Sequence, residues 1–146
     1  MKKENIKILV LSTSADVMNF RGEIITELIK RNYKIFISGS CNKKYNNNID
    51  KLKELGCTLI DTYIDRRGYN PFKDIKTILK YRKIIKEIKP DIVLSFSIKP
   101  NIYGGFVCKR YKIPHIANIT GLGSSIEEEK GIKRKFILWF YRKGIN

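Results

Sequence analysis

Residues 91–125 read DIVLSFSIKPNIYGGFVCKRYKIPHIANITGLGSS, and this stretch decides the fold. Asp91 to Phe96 is a short apolar run of strand-forming residues, closed by the loop Ser97-Ile98-Lys99-Pro100-Asn101. A second such run, His115 to Ile119, ends in Thr120-Gly121-Leu122-Gly123-Ser124. The segment between them is long enough for one crossover helix and little more, so the spacing predicts a βαβ unit. Strands joined in this way are parallel, and the loops leaving their carboxyl ends share one rim of the sheet. Lys99, Asn101 and the Gly-Leu-Gly turn are therefore expected on that rim. Pro100-Asn101 reads as a helix start, and Gly104-Gly105 lets that helix approach a neighbour closely.

The preceding sequence repeats the pattern. Ile6 to Leu11 is a first strand, followed by the small, polar loop Ser12-Thr13-Ser14-Ala15-Asp16. Asn19 is placed to cap a helix whose apolar positions Phe20, Ile24, Ile25, Leu28 and Ile29 recur at helical spacing, which puts Arg21 in its first turn. Tyr33 to Ser38 is a second strand closed by Gly39, Ile49 to Leu55 a short helix ended by Gly56, and Cys57 to Ile60 a third strand. After the loop Asp65-Arg66-Arg67-Gly68-Tyr69, Asn70 is an N-cap with Pro71 at the first helical position. Ile75, Ile78, Leu79, Ile85 and Ile88 form one apolar face of the long helix, Lys76, Lys80, Lys83 and Lys86 the other, and Pro90 stops it. Regular alternation of strand and helix predicts an α/β, doubly wound, Rossmann-like open parallel sheet of about five strands with helices on both faces.

Composition limits the chemistry. The 146 residues suit a single domain spanning residues 1–146, and 42% hydrophobic content is enough for a packed core. A formal charge of +16 favours phosphorylated ligands, polyanions or an anionic membrane face. Three scattered cysteines and a single histidine suggest neither a disulfide framework nor a metal site, and they fit a reducing, cytoplasmic compartment. Met1-Lys2-Lys3 followed by Ile6 to Leu11 is too short and too interrupted by charge for a signal peptide, and no apolar run is long enough to cross a bilayer. The loop after the first strand has no glycine, the Gly-x-Gly-x-x-Gly spacing is missing and so is the P-loop motif. A nicotinamide or flavin cofactor and P-loop nucleotide hydrolysis are thereby disfavoured, and no cofactor is expected. His115, opening a strand behind Pro114, fits packing better than catalysis.

The closing segment, residues 130–143, alternates basic residues with Ile132, Phe136, Ile137, Leu138, Trp139, Phe140 and Tyr141. As a helix it places Ile132, Phe136, Trp139 and Phe140 on one face. Such a helix either packs on the sheet edge or rests on a partner or an anionic membrane surface.

Four motifs in order resemble the N-terminal, family-4-like domain of GT-B fold bacterial glycosyltransferases of the capsule, exopolysaccharide and O-antigen (lipopolysaccharide) type. They are Asn19-Phe20-Arg21, Asp65-Arg66-Arg67-Gly68-Tyr69-Asn70-Pro71, Ile98-Lys99-Pro100-Asn101-Ile102-Tyr103-Gly104 and Asn118-Ile119-Thr120-Gly121-Leu122-Gly123. The resemblance implies a sugar transferase whose acceptor, a polyprenyl-diphosphate-linked saccharide at the inner membrane face, sits on this domain. It also implies that the nucleotide sugar is held by a second Rossmann-like domain not contained in these residues. A truncated chain, one half of a two-chain transferase and a solitary binding domain stay open as explanations. A substrate cleft is expected from Ser14, Asn19 and Arg21 of the first loop, Arg67 and Asn70 of the third, Lys99 and Asn101 of the fourth, and Thr120, Gly121 and Gly123 of the fifth. Basic side chains there would neutralise phosphate, and glycine N–H groups would cradle an oxyanion or a sugar hydroxyl. The competing class is a non-catalytic module docking on a partner transferase, a membrane or nucleic acid. Nucleic acid ranks low in it, because no recognition motif is present and the aromatics occupy apolar periodic positions.

Overall fold

A computed structural model describes residues 5–42, 47–65, 70–119 and 131–145. The elements follow in the order β1 (Lys7–Ser14), α1 (Met18–Lys30), β2 (Lys34–Ser40), α2 (Ile49–Glu54), β3 (Thr58–Asp61), α3 (Pro71–Ile88), β4 (Ile92–Phe96), α4 (Ile98–Tyr111), β5 (His115–Asn118) and α5 (Ile132–Ile145). All strand pairs are parallel, in one five-stranded sheet of order β3-β2-β1-β4-β5. The expected doubly wound, Rossmann-like sheet is therefore present. The order reverses between β1 and β4, and in such sheets ligands are held outside the carboxyl ends of the strands at that switch point.

Strand alternation builds two cores. Ile8 and Val10 of β1 join Ile35 and Ile37 of β2, Phe96 of β4, Ile25 of α1 and Leu52 of α2. Leu9 and Leu11 turn the other way, to Val93 of β4, Tyr81, Ile84 and Ile85 of α3, and Val107 and Cys108 of α4. The sheet is thus covered by α1 and α2 on one face and by α3 and α4 on the other.

Several boundaries moved for tertiary reasons. Gly39, expected to close β2, lies inside it. A Cβ at Gly39 would stand 2.6 Å from Ser14 C and Ala15 N, so the residue permits a close backbone approach beside an irregularity of β1. Val17, not Asn19, occupies the N-cap position of α1, with no side-chain capping bond. α4 starts at Ile98, before Pro100, behind Ser97 at φ 78°. The expectation for α3 held at its ends: Asn70 Oδ1 accepts from the backbone N–H groups of Phe72 and Lys73, Pro71 opens the helix, and Lys89 closes it in the left-handed conformation. On the faces it held in part, since Ile78, Ile85 and Ile88 pack into the core. Thr77, Tyr81, Ile84 and Ile85 are buried, while Ile75 and Leu79, expected inside, are exposed.

Tyr81 is fully enclosed, and its hydroxyl has no hydrogen-bond partner among the described residues. Burial pushes its phenol well above the ordinary range. A stranded hydroxyl costs about 1–3 kcal/mol of lost hydration. Tyr81→Phe is accordingly expected to raise stability by about 1 kcal/mol in urea denaturation. A loss of similar size would show that the hydroxyl has a partner.

The α5 helix is not a free tail. It packs against α4, with Phe140 edge-on to Phe106 at 6.0 Å between ring centres, and with Gly144 against Ile102 and Gly105. Of the residues expected on one face, Ile132 and Trp139 are exposed, and Phe140 with Gly144 carries the docking.

Candidate functional site

An open groove of about 1080 Å³ runs along α1 from Met18 to Lys30 and takes in the end of β5, with the carboxylates Glu23 and Glu27 also in its lining. Asn19, Phe20, Arg21, Ile24, Asn118 and Ile119 contribute to its lining. Beneath it ends β4, where the strand's alternation directs Phe96 to the α1 face. The Arg21 guanidinium stands 4.8 Å over the centre of the Phe96 ring, and its Nη1 donates to the Phe20 carbonyl at 2.6 Å. These contacts hold the cation in place without neutralising it. Among the described residues Arg21 makes no ion pair, so its charge remains for an anion. Phe20, Ile24 and Ile119 are exposed apolar side chains around the same groove.

Ser14 and Asn19 belong to a polar clasp next to it. Ser14 Oγ accepts from the Asp16 N–H at 3.1 Å. The largely buried Asp16 carboxylate accepts from the Asn48 N–H at 3.2 Å and from Asn48 Nδ2 at 3.1 and 3.2 Å. Asn48 Nδ2 also donates to Asn19 Oδ1 at 3.1 Å. The clasp fastens the start of α2 to the loop after β1. Sequence reasoning passed over Asp16 and Asn48. The available signal was an Asp two residues after a strand-terminal Ser, a pattern favoured in turns. Asn118 opens the fourth motif but was not among the expected cleft residues, yet it lines the groove, and its Nδ2 donates to the Ser95 carbonyl at 3.3 Å.

The remaining described candidates stand elsewhere. Lys99 is buried on the α3–α4 face, where its Nζ donates to Asp74 Oδ1 at 2.9 Å. Its charge is already balanced, and it lies across the sheet from Arg21. Asn70 is occupied in capping α3. Asn101 has no exposure: its Nδ2 donates to the Asn118 carbonyl at 3.1 Å, and its Oδ1 accepts from the Ser95 hydroxyl at 2.7 Å. Arg67, Thr120, Gly121 and Gly123 lie outside the described residues.

Ser95 Oγ also lies 2.7 Å from His115 Nε2, a separation suited to a nucleophile and its base. The hydrogen bonds exclude that role. The Asn118 carbonyl orients the Asn101 amide, Asn101 Oδ1 takes the Ser95 proton, and Ser95 must therefore accept from His115 Nε2–H. Burial lowers the His115 pKa, which keeps the ring neutral. The thiols offer no activated nucleophile either: burial pushes Cys57 up to about 11 and Cys108 up to about 12, and burial followed by the Asp61 carboxylate raises the half-buried Cys41.

Comparison with known proteins adds a family and a fold. The model of the "glycosyl transferase 4-like" family matches residues 7–144. An N,N'-diacetylbacillosaminyl-diphospho-undecaprenol alpha-1,3-N-acetylgalactosaminyltransferase of Campylobacter jejuni is 31% identical over 111 residues, which cover 75% of this chain and 28% of that protein. A UDP-N-acetylglucosamine–N-acetylmuramyl-(pentapeptide) pyrophosphoryl-undecaprenol N-acetylglucosamine transferase of Clostridium tetani is 35% identical over 81 residues, 52% of this chain and 23% of that protein. The chain thus spans about a quarter of the length of the curated relatives it matches. Among solved structures, a UDP-N-acetylglucosamine 2-epimerase superposes with a TM-score of 0.67 at 12% identity, covering 96% of this chain and 39% of that one. At that identity the likeness speaks for the fold alone, and this neighbour is an epimerase, so architecture by itself does not select sugar transfer.

Proposed function

The chain belongs to the glycosyl transferase 4-like family, and from that premise we propose that it forms the acceptor-side half of a sugar-transfer site. The observation that carries this reading is Arg21, a cation with no ion pair among the described residues, held over Phe96 in an open groove whose other walls include Phe20, Ile24 and Ile119. A cation beside apolar side chains suits a diphosphate carrying a prenyl chain, and both curated relatives bear names of enzymes acting on undecaprenol-linked diphosphates. The acceptor in this reading is a polyprenyl-diphosphate-linked saccharide of cell-surface polysaccharide synthesis, met at the inner face of the cell membrane. Ser14 and Asn19 shape the groove through the Asp16–Asn48 clasp, and Thr120, Gly121 and Gly123, outside the described residues, stay candidates from the sequence alone. The nucleotide sugar is bound by a further domain or a second chain. Nothing described here supplies a nucleophile and base for the chemistry, so this chain alone binds acceptor and transfers no sugar.

Binding of a short-chain polyprenyl diphosphate sugar to the purified chain, followed by calorimetry, tests this. Arg21→Ala is expected to weaken binding by about ten- to a hundredfold, the loss of one charge-assisted contact, with the thermal midpoint kept. Equal affinity in the variant would remove Arg21 from the site. Turnover of a nucleotide sugar by the chain without any partner would overturn the half-site reading.

A further inference from the structure

Two groove residues of opposite hydrogen-bonding character flank one aromatic ring. β4 and β5 pair with Phe96 beside Asn118, and neighbours in a parallel register send their side chains to the same face of the sheet. Asn118 therefore stands on the α1 face, next to the ring over which the Arg21 guanidinium lies at 4.8 Å, and both residues line the groove. Asn118 is held from two directions. Its backbone carbonyl accepts from the buried Asn101 Nδ2 at 3.1 Å, and its own Nδ2 donates to the Ser95 carbonyl at 3.3 Å and, more weakly, to the Ile116 carbonyl at 3.5 Å. Two acceptors on one side of the amide fix which end is nitrogen. Asn118 Oδ1 is left as an acceptor with no donor among the described residues, on a half-buried side chain that borders the opening.

We propose that Asn118 determines recognition of the acceptor's sugar: its Oδ1 accepts from a hydroxyl or amide N–H of the saccharide next to the diphosphate. The inference rests on the acceptor reading and gives the groove a direction. A guanidinium only donates and an ionised diphosphate only accepts, so Arg21 suits the phosphates. An amide oxygen only accepts, so it repels phosphate oxygens and selects a group that donates. In a glycosyl diphosphate the sugar is joined to the phosphate through a single oxygen, so the sites for the two must be neighbours, as Arg21 and Asn118 are about the Phe96 ring. The carboxylates in the lining suit the sugar less. Glu27 is paired with Arg31 at 3.0 Å, and Glu23 is exposed on α1, where water competes for it.

The test is calorimetry of the full chain with two ligands of equal charge: a short-chain polyprenyl diphosphate sugar, and the same polyprenyl diphosphate closed by a methyl group instead of the sugar. The native chain is expected to prefer the sugar-bearing ligand about tenfold, the worth of one or two hydrogen bonds. Asn118→Ala should remove that preference and leave affinity for the methyl ligand unchanged. Asn118→Asp, which keeps an accepting oxygen, should retain the preference while weakening both ligands through repulsion of the diphosphate. Arg21→Ala should weaken both alike. No preference in the native chain, a preference kept in Asn118→Ala, or a preference lost only in Glu23→Gln would overturn the assignment. So would an equal loss of both ligands in Asn118→Ala with a lowered thermal midpoint, the signature of a purely structural residue. Binding of neither ligand by the native chain would overturn the acceptor reading and this assignment together, whereas binding with an Arg21 effect and no Asn118 effect would overturn this assignment alone.

Discussion

Replacing Gly105 with alanine is expected to separate α5 from α4 and to cost about 3 kcal/mol or more, the upper end of what overpacking a core incurs. A Cβ at Gly105 would stand 1.6 Å from the Gly144 carbonyl oxygen and 2.6 Å from its carbon. The contact is reciprocal, since a Cβ at Gly144 would lie 2.8 Å from the Ile102 oxygen and 2.9 Å from its Cα. These neighbours are backbone atoms and cannot rotate aside, so the helices must move apart and the Phe106–Phe140 edge contact is lost with them. Trp139, the single tryptophan, sits on α5 with its ring centre 5.0 Å from that of Phe140, and its emission reports the docking directly. Urea denaturation followed at Trp139 should show a lower midpoint in Gly105→Ala. Gly22→Ala is the control: its Cβ would meet only the flexible end of Met18 at 3.4 Å, and the helix interior of α1 should gain up to about 1 kcal/mol. An unchanged midpoint in Gly105→Ala would mean that the two backbones do not touch.

Asn101→Ala is expected to destabilise by about 3 kcal/mol, because it strands the buried Ser95 hydroxyl and the half-buried Asn118 carbonyl and leaves a void. The amide joins three elements. It receives the Ser95 hydroxyl of β4 at 2.7 Å and reaches the Asn118 carbonyl of β5 at 3.1 Å, from the first turn of α4. Freed of Asn101, the Ser95 proton turns toward His115, whose Nε2 lies 2.7 Å away, and the ring tautomer inverts. Guanidinium denaturation measures the cost, and nitrogen chemical shifts of the His115 ring measure the tautomer. Retained stability together with an unchanged ring would sink the network.

Much of the architecture was readable before any coordinates. The period-two alternation of Ile8 and Val10 against Leu9 and Leu11, the Asn70-Pro71 start of α3 and the Pro90 stop are local facts, governed by backbone sterics and side-chain direction. The site was readable only in part. Arg21 was placed correctly in the first turns of α1, but the Phe96 ring that holds it lies 75 residues away in sequence, and no local rule joins them. Sequence alone offers Lys99 and Asn101 as ligand contacts because a cation and an amide after a strand look alike whether they face solvent or core. Which they face depends on Asp74, Ser95 and Asn118, all supplied by other elements.

The residue order determined that this chain alternates strand and helix, that its strands run parallel, and which loops gather at the carboxyl rim, because each of these follows from interactions within a few residues. Packing alone decided that Gly39 stays inside a strand, that Ile75 and Leu79 face outward, and that Lys99 rather than Arg21 is ion-paired among the described residues. Those outcomes depend on which remote partners the fold places at van der Waals or hydrogen-bonding distance. Burial then fixes whether a polar group serves the fold or remains for a ligand.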